Sequence, residues 1–265
     1  MIYDCFTFYN EVELLNLRFH ELDPFVDFFV VVEAEQTFTG LKKPLIFKEK
    51  AKFFKQWEKK IIYINHGNLV GSNGWEREFY QRNATLPFLT KVMTRDDLLM
   101  LSDVDEIPDT SMLNEAFALA RQNKSIIFSQ NRCCYHLNRR FGMQDCMRII
   151  RFGELLDRGT GMQIFRNSCP DLTGHGGWHF TNMGGAERIS EKIQAFAHEE
   201  FNHPEYHSID KIKKRVDAAG DLYDRQLLTN KDAAYLSQYN QVVMGIEQMP
   251  EYVRNNTSLF ANWLF

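Results

Sequence analysis

The sequence predicts an α/β protein, a mainly parallel sheet flanked by helices in a single domain spanning residues 1–265. Three observations predict it. Apolar stretches of strand length alternate with stretches of helical periodicity, the β-α-β-α order that produces parallel sheets. Phe25 to Val32 is almost continuously apolar, as a strand covered on both faces must be. No repeat, low-complexity tract or linker divides the chain.

The elements follow in order. Ile2 to Tyr9, apolar and aromatic, suits a first strand. Asn10 to Leu22 carries Val12, Leu15, Leu17, Phe19 and Leu22 mostly at helical spacing, and Pro24 stops that helix. Phe25 to Val32 is the second strand. The lysine-rich stretch Lys42 to Lys60, interrupted by Phe53, Phe54 and Trp57, reads as the solvated face of an amphipathic segment. A membrane-surface or acidic-acceptor patch is the other reading. Ile61 to Ile64 is a third strand, Trp75 to Val92 a helix, Asp97 to Ser102 a fully buried strand, and Ser111 to Gln122 a helix. Ser208 to Arg225 is a packing helix, and the apolar Phe260 to Phe265 docks on the domain or forms a homodimer contact.

Composition narrows the function. A net charge of −4 argues against a nucleic-acid partner, which calls for a basic surface. No apolar run approaches the roughly 20 residues of a membrane helix, and the N-terminus shows no secretory leader. Peripheral membrane contact stays open. Five cysteines, an odd count with Cys133 and Cys134 adjacent and no Cys-x-x-Cys pair, read as reduced. That favours a cytoplasmic location.

Ligands bind sheets of this kind at the carboxyl ends of the strands, so polar residues just past apolar strands are the candidates. Leu101-Ser102-Asp103-Val104-Asp105-Glu106-Ile107-Pro108 is the most informative stretch. In an extended chain Asp103 and Asp105 project to one side, and two carboxylates so close repel unless a cation or shared proton compensates. Oxygen ligands of this type suit Mn²⁺ or Mg²⁺. Such an ion grips a diphosphate and neutralises the charge building on a leaving group. A solvated acidic turn capping the next helix is the plain alternative.

Several segments resemble glycosyltransferase family 17. The first is Phe6-Thr7-Phe8-Tyr9-Asn10-Glu11, running into Glu13 through Leu22. The second is Val26 through Glu33, with Thr37-Phe38-Thr39-Gly40 after it. Next come Trp75-Glu76-Arg77-Glu78 with Gln81-Arg82-Asn83, leading to the acidic stretch. Gly177-Trp178-His179-Phe180, the Lys192 to Asn202 stretch and Met249-Pro250-Glu251-Tyr252-Val253 with Asn255 complete the series. The resemblance covers nearly the whole chain in order; Arg132 to Cys169 matches least. It implies a GT-A-type, Rossmann-like fold, with residues 1–110 as the nucleotide-sugar-binding half and 111–265 as the acceptor-side half. It also implies an inverting, metal-dependent transfer from a nucleotide-sugar donor, UDP-linked with N-acetylglucosamine as the candidate sugar, to a glycan or lipid-linked glycan.

Roles follow from both lines of reading. Asp103, Asp105 and His179 form the candidate metal set. Asp105 is the direct ligand, Asp103 meets the ribose or a metal-bound water as in other GT-A enzymes, and His179 completes the site, with His175 beside it. Glu33, ending the second strand, matches the acid that GT-A enzymes place on nucleobase or ribose; turn capping is the alternative. Tyr9 and Asn10 end the first strand and line the same pocket. Arg77 and Arg82 carry the guanidinium fork that suits a diphosphate. Their five-residue spacing turns them apart, which favours Arg82, with Asn83 beside it. Inversion calls for one carboxylate base near the acceptor hydroxyl: Glu187, following Gly184-Gly185-Ala186, with Glu199 and Glu200 as competitors and Asp145 behind them. Gly174 to Trp178 reads as a loop whose glycines admit a ligand close to the backbone. Trp178 stacks on the acceptor sugar or anchors the core. Two other functions compete. A nucleotidyltransferase would show a Gly-rich basic loop near the first strand, where Tyr9-Asn10-Glu11 stands instead. A non-catalytic glycan-binding module has no need of the intact acidic set.

Overall fold

The computed structural model describes residues 1–223 and 241–265. Its elements run β1 (Ile2–Thr7), α1 (Val12–Leu22), β2 (Phe28–Glu33), α2 (Ile46–Lys50), β3 (Ile61–Asn65), α3 (Gly74–Val92), β4 (Leu98–Asp103) and β5 (Glu106–Pro108). They continue with α4 (Leu113–Arg121), β6 (Ile126–Cys134), β7 (Arg139–Arg151), α5 (Phe152–Arg158), α6 (Gly161–Asn167) and β8 (Leu172–Thr181). The last are α7 (Gly185–Ala195), α8 (Pro204–His207), α9 (Ile209–Asp217), β9 (Val242–Val243) and a short helix over Glu251–Asn255. The helix expected from Ser208 is α9; its expected end at Arg225 lies outside the described residues.

One sheet carries the order β3-β2-β1-β4-β7-β6-β8-β5, with β9 on β7. The first four strands pair in parallel, as the alternation predicts. The pattern forces this. Each strand is apolar on both faces, and helical segments long enough for a crossover separate them. One apolar layer packs Phe19, Phe29, Phe54, Trp57 and Phe117 on one side of the sheet. The other packs Tyr3, Leu89, Phe152 and Phe165 on the opposite side. Beyond β4 the pairing is mixed: β4 meets β7 antiparallel, β7 meets β6 antiparallel, and β6 meets β8 in parallel.

Gly174 to Trp178 is strand, where the sequence suggested a loop. Its glycines serve another backbone. A Cβ at Gly177, whose φ is +105°, would lie 2.4 Å from the Ile107 carbonyl oxygen, so the glycine lets β8 press against β5. No disulfide joins the cysteines among the described residues, and no helix among them is long and apolar enough to cross a membrane.

Candidate active site

Register builds the site. Thr7, the last residue of β1, pairs with Asp103, the last of β4, and its hydroxyl donates to Asp103 Oδ1 at 3.0 Å. The chain then turns into β5, whose Glu106 pairs with His179 of β8, while the Phe180 amide donates to the Asp105 carbonyl at 2.8 Å. Two aspartates and a histidine 74 positions later thus meet at one end of the sheet. Asp103, Asp105 and His179 all line a pocket of about 290 Å³, together with Tyr9 and Arg82.

The turn is braced from beneath. Arg18 of α1, fully buried, forms a two-point ion pair with the equally buried Asp4. Its remaining donors reach Ser102 Oγ at 2.6 Å and the Asp103 and Glu106 carbonyl oxygens at 3.2 and 2.7 Å. Glu106 accepts the Asp103 amide at 3.0 Å and the guanidinium of Arg166, which also reaches Asp103 Oδ2 at 2.9 Å. Arg82 grips Asp103 Oδ1. Burial works to raise the pKa of Asp103, but Arg166 and Arg82 override it and hold the carboxyl well below the carboxylate range. The two acids therefore differ in kind. Asp103 is already neutralised by two guanidinium groups, whereas Asp105 faces Lys192 Nζ at 3.0 Å and His179 Nε2 at 3.7 Å. Burial works against the charge of Lys192; Asp105 and Glu11 outweigh it and keep the amine protonated.

His179 Nδ1 lies 3.1 Å from Gln144 Oε1. With that oxygen as acceptor, the ring proton sits on Nδ1 and the Nε2 lone pair faces Asp105. One nitrogen and one carboxylate oxygen 3.7 Å apart fit a divalent cation once Lys192, now 3.0 Å from that oxygen, gives way to it. Glu106, Cys146 and His179 also place ligand atoms within 4.8 Å of one another. That trio fits an ion poorly, because Arg166 occupies both Glu106 oxygens and burial pushes the Cys146 thiol far up.

Other sequence-derived candidates lie apart from the pocket. Arg77 donates to the Phe38 carbonyl at 2.7 Å and approaches Glu199 at 3.5 Å, clasping the rim rather than facing the pocket. Asn83 accepts the Gln163 amide at 3.1 Å and so holds α6, the helix that carries Arg166. Glu33 ends β2 as expected, but Lys43, the Phe47 amide and the Tyr63 hydroxyl saturate its carboxylate. Asn10 turns to Glu191. Trp178 takes the core alternative: it is buried, stacks on Phe180 and donates to the Gln248 carbonyl. Glu187 is exposed beside Lys213, Glu200 bonds His198, and Glu199, Asp145 and His175 are exposed outside the pocket. None of the acids expected as base reaches the pocket.

The structure adds residues that the sequence did not single out. Glu11 and Glu78 line the pocket, as do Lys43, Lys192 and the half-exposed Trp75. Glu11 Oε2 accepts the Tyr9 and Asn10 amides, and its other oxygen has no hydrogen bond among the described residues. Burial raises its pKa, with Lys192 opposing. Glu11 and Trp75 stand inside the recognisable segments, so a signal existed; Arg166 comes from the stretch without one.

A mainly parallel sheet that opens on a pocket at its strands' carboxyl ends defines an α/β protein of the Rossmann-like class. More particularly, the chain belongs to glycosyltransferase family 17, whose model matches residues 1–264. The β-1,4-mannosyl-glycoprotein 4-β-N-acetylglucosaminyltransferases of Homo sapiens and Rattus norvegicus are each 35% identical over 111 residues. That match takes in 37% of this chain and 20% of each relative. Among solved structures, 4-diphosphocytidyl-2C-methyl-D-erythritol synthase is similar at a TM-score of 0.44 and 14% identity, over 66% of this chain and 88% of that one.

Proposed function

We propose that the protein moves a sugar from a UDP-linked donor onto a glycan with inversion at the anomeric carbon, aided by Mn²⁺ or Mg²⁺. The observation that carries this reading is the convergence of Asp105 Oδ2 and His179 Nε2, 3.7 Å apart, in a pocket at the sheet's carboxyl end. The name shared by the relatives supports N-acetylglucosamine as the sugar.

Asp105 and His179 would hold the ion, which when bound neutralises charge on the departing diphosphate. Lys192, paired with Asp105, and Arg82, paired with Asp103 and Glu78, place donors along the same wall for the phosphates. Asp103 keeps Arg82 and Arg166 aligned. Glu11 is the base: its unengaged oxygen takes the proton of the acceptor hydroxyl as that oxygen bonds to the anomeric carbon. The bond from that carbon to the diphosphate oxygen breaks, and its electron pair leaves with UDP. Trp75, 49% exposed, offers the flat apolar surface on which a pyranose stacks.

The test is UDP release from UDP-N-acetylglucosamine together with the thermal shift that donor and Mn²⁺ produce. Asp105→Asn should abolish the Mn²⁺-dependent shift and cut turnover by about 100-fold or more. Glu11→Gln should keep the shift and lower turnover by roughly 10²–10⁴-fold. Full activity in EDTA would remove the ion from the mechanism, and full activity in Glu11→Gln would move the base elsewhere.

A further inference from the structure

Charge in this chain is unevenly spread. Between Lys42 and Lys60 stand eight lysines and two glutamates, a surplus of six positive charges where the whole chain carries −4. The stretch forms α2 and a 3-10 helix over Ala51–Lys60. It is fastened from inside, with Phe47, Phe54 and Trp57 buried against Phe8 and Phe19. Lys43 and Lys60 are held by Glu33 and Asp23. Lys42, Lys48, Lys50, Lys52, Lys55 and Lys59 are exposed.

Phe53 breaks the pattern of an ordinary solvated face. It stands 71% exposed among those lysines, with Lys50 Nζ 5.8 Å from its ring centre. Leu41, next to the first lysine, is 61% exposed. Exposed cations around outward apolar tips, on a segment anchored from inside, are the composition of a lipid-interface contact.

We infer that this face docks on an anionic phospholipid surface, the lysines meeting headgroup phosphates and Phe53 entering the acyl boundary. Charge complementarity alone would serve any polyanion. Phe53 and Leu41 together favour lipid: an aliphatic tip beside an aromatic one matches an acyl boundary rather than a single sugar face. The face runs directly into the pocket: Lys43 lines it, as do Thr37 and Phe38. Docking sets that rim against the bilayer, where an acceptor carried on lipid would be met. The surface contact itself does not depend on the proposed reaction.

The experiment is cosedimentation of the full chain with vesicles of phosphatidylcholine alone and of phosphatidylcholine mixed with phosphatidylglycerol. Binding is expected to the mixed vesicles only, weakening as salt screens it. Lys48→Glu, Lys52→Glu, Lys55→Glu and Lys59→Glu together should lower partitioning by more than about 100-fold. Phe53→Ser should lower it about tenfold. Both variants should melt like the parent, since the altered side chains are exposed. Absence of binding to the mixed vesicles would overturn the inference, as would unchanged binding of either variant. Retention on a sulfated-polysaccharide column without vesicle binding would also overturn it and make the face a polyanion site.

Discussion

Arg18 shows how much of the site rests on a residue that no substrate meets. Its guanidinium is fully buried, neutralised by Asp4, and spends its other donors on Ser102 and the carbonyls of the Asp103–Glu106 turn. Removing one partner of a buried pair leaves an uncompensated charge, at a cost of about 3–5 kcal/mol. Arg18→Met should therefore lower the urea midpoint by that amount of stability, and Asp4→Leu in the same chain should restore much of it. A midpoint unchanged in Arg18→Met would show that the pair contributes nothing. Little in the residue pattern signals this role. Arg18 sits between Leu17 and Phe19 in a helix with seven buried positions out of eleven, and periodicity alone reads an arginine there as a solvent-facing residue. The aspartates were legible because paired acids after an apolar strand are chemically conspicuous.

At the scale of elements, the parallel half was readable and the mixed half was not. The strands β1 to β4 are continuous apolar runs bounded by helical periodicity, the strongest pattern a sequence offers. In β8 the residues from Leu172 to Gly176 are exposed or half-buried and rich in glycine, so the strand resembles a loop until its partners are known. The glycines are nonetheless exacting. Gly177→Ala would drive a Cβ into the Ile107 carbonyl at a left-handed φ, forcing β5 and β8 apart and drawing His179 from Asp105. The expected loss is roughly 1–3 kcal/mol of stability, together with the Mn²⁺ thermal shift. Gly159→Ala, at φ +62° with nothing within 4 Å, is the control that should lose stability alone. Equal Mn²⁺ responses in the two variants would contradict the role given to β8.

For the whole molecule, α1 is fastened to the helix over Glu251–Asn255 through a buried carboxyl. Glu21 of α1 accepts the Tyr252 amide, and the His20 and Tyr252 rings stack at 3.9 Å. Burial pushes the Glu21 carboxyl up from 4.5 to about 7, against the pull of the Tyr252 amide. A raised carboxyl binds its proton more tightly folded than unfolded. Its contribution is complete below the ordinary glutamate range and is lost as pH rises through about 7. Melting temperature relative to Glu21→Gln should therefore fall between those limits, by on the order of 3 kcal/mol of stability. Parallel profiles for the two proteins would dismiss the clamp as a titrating contact.

The strand that supplies His179 is among the last of the sheet to be made. A ribosome that has released 150 residues has completed the parallel half and both aspartates, yet the imidazole has still to be synthesised. On the proposed role of His179, the nascent chain lacks half of its ion site until β8 seats between β6 and β5.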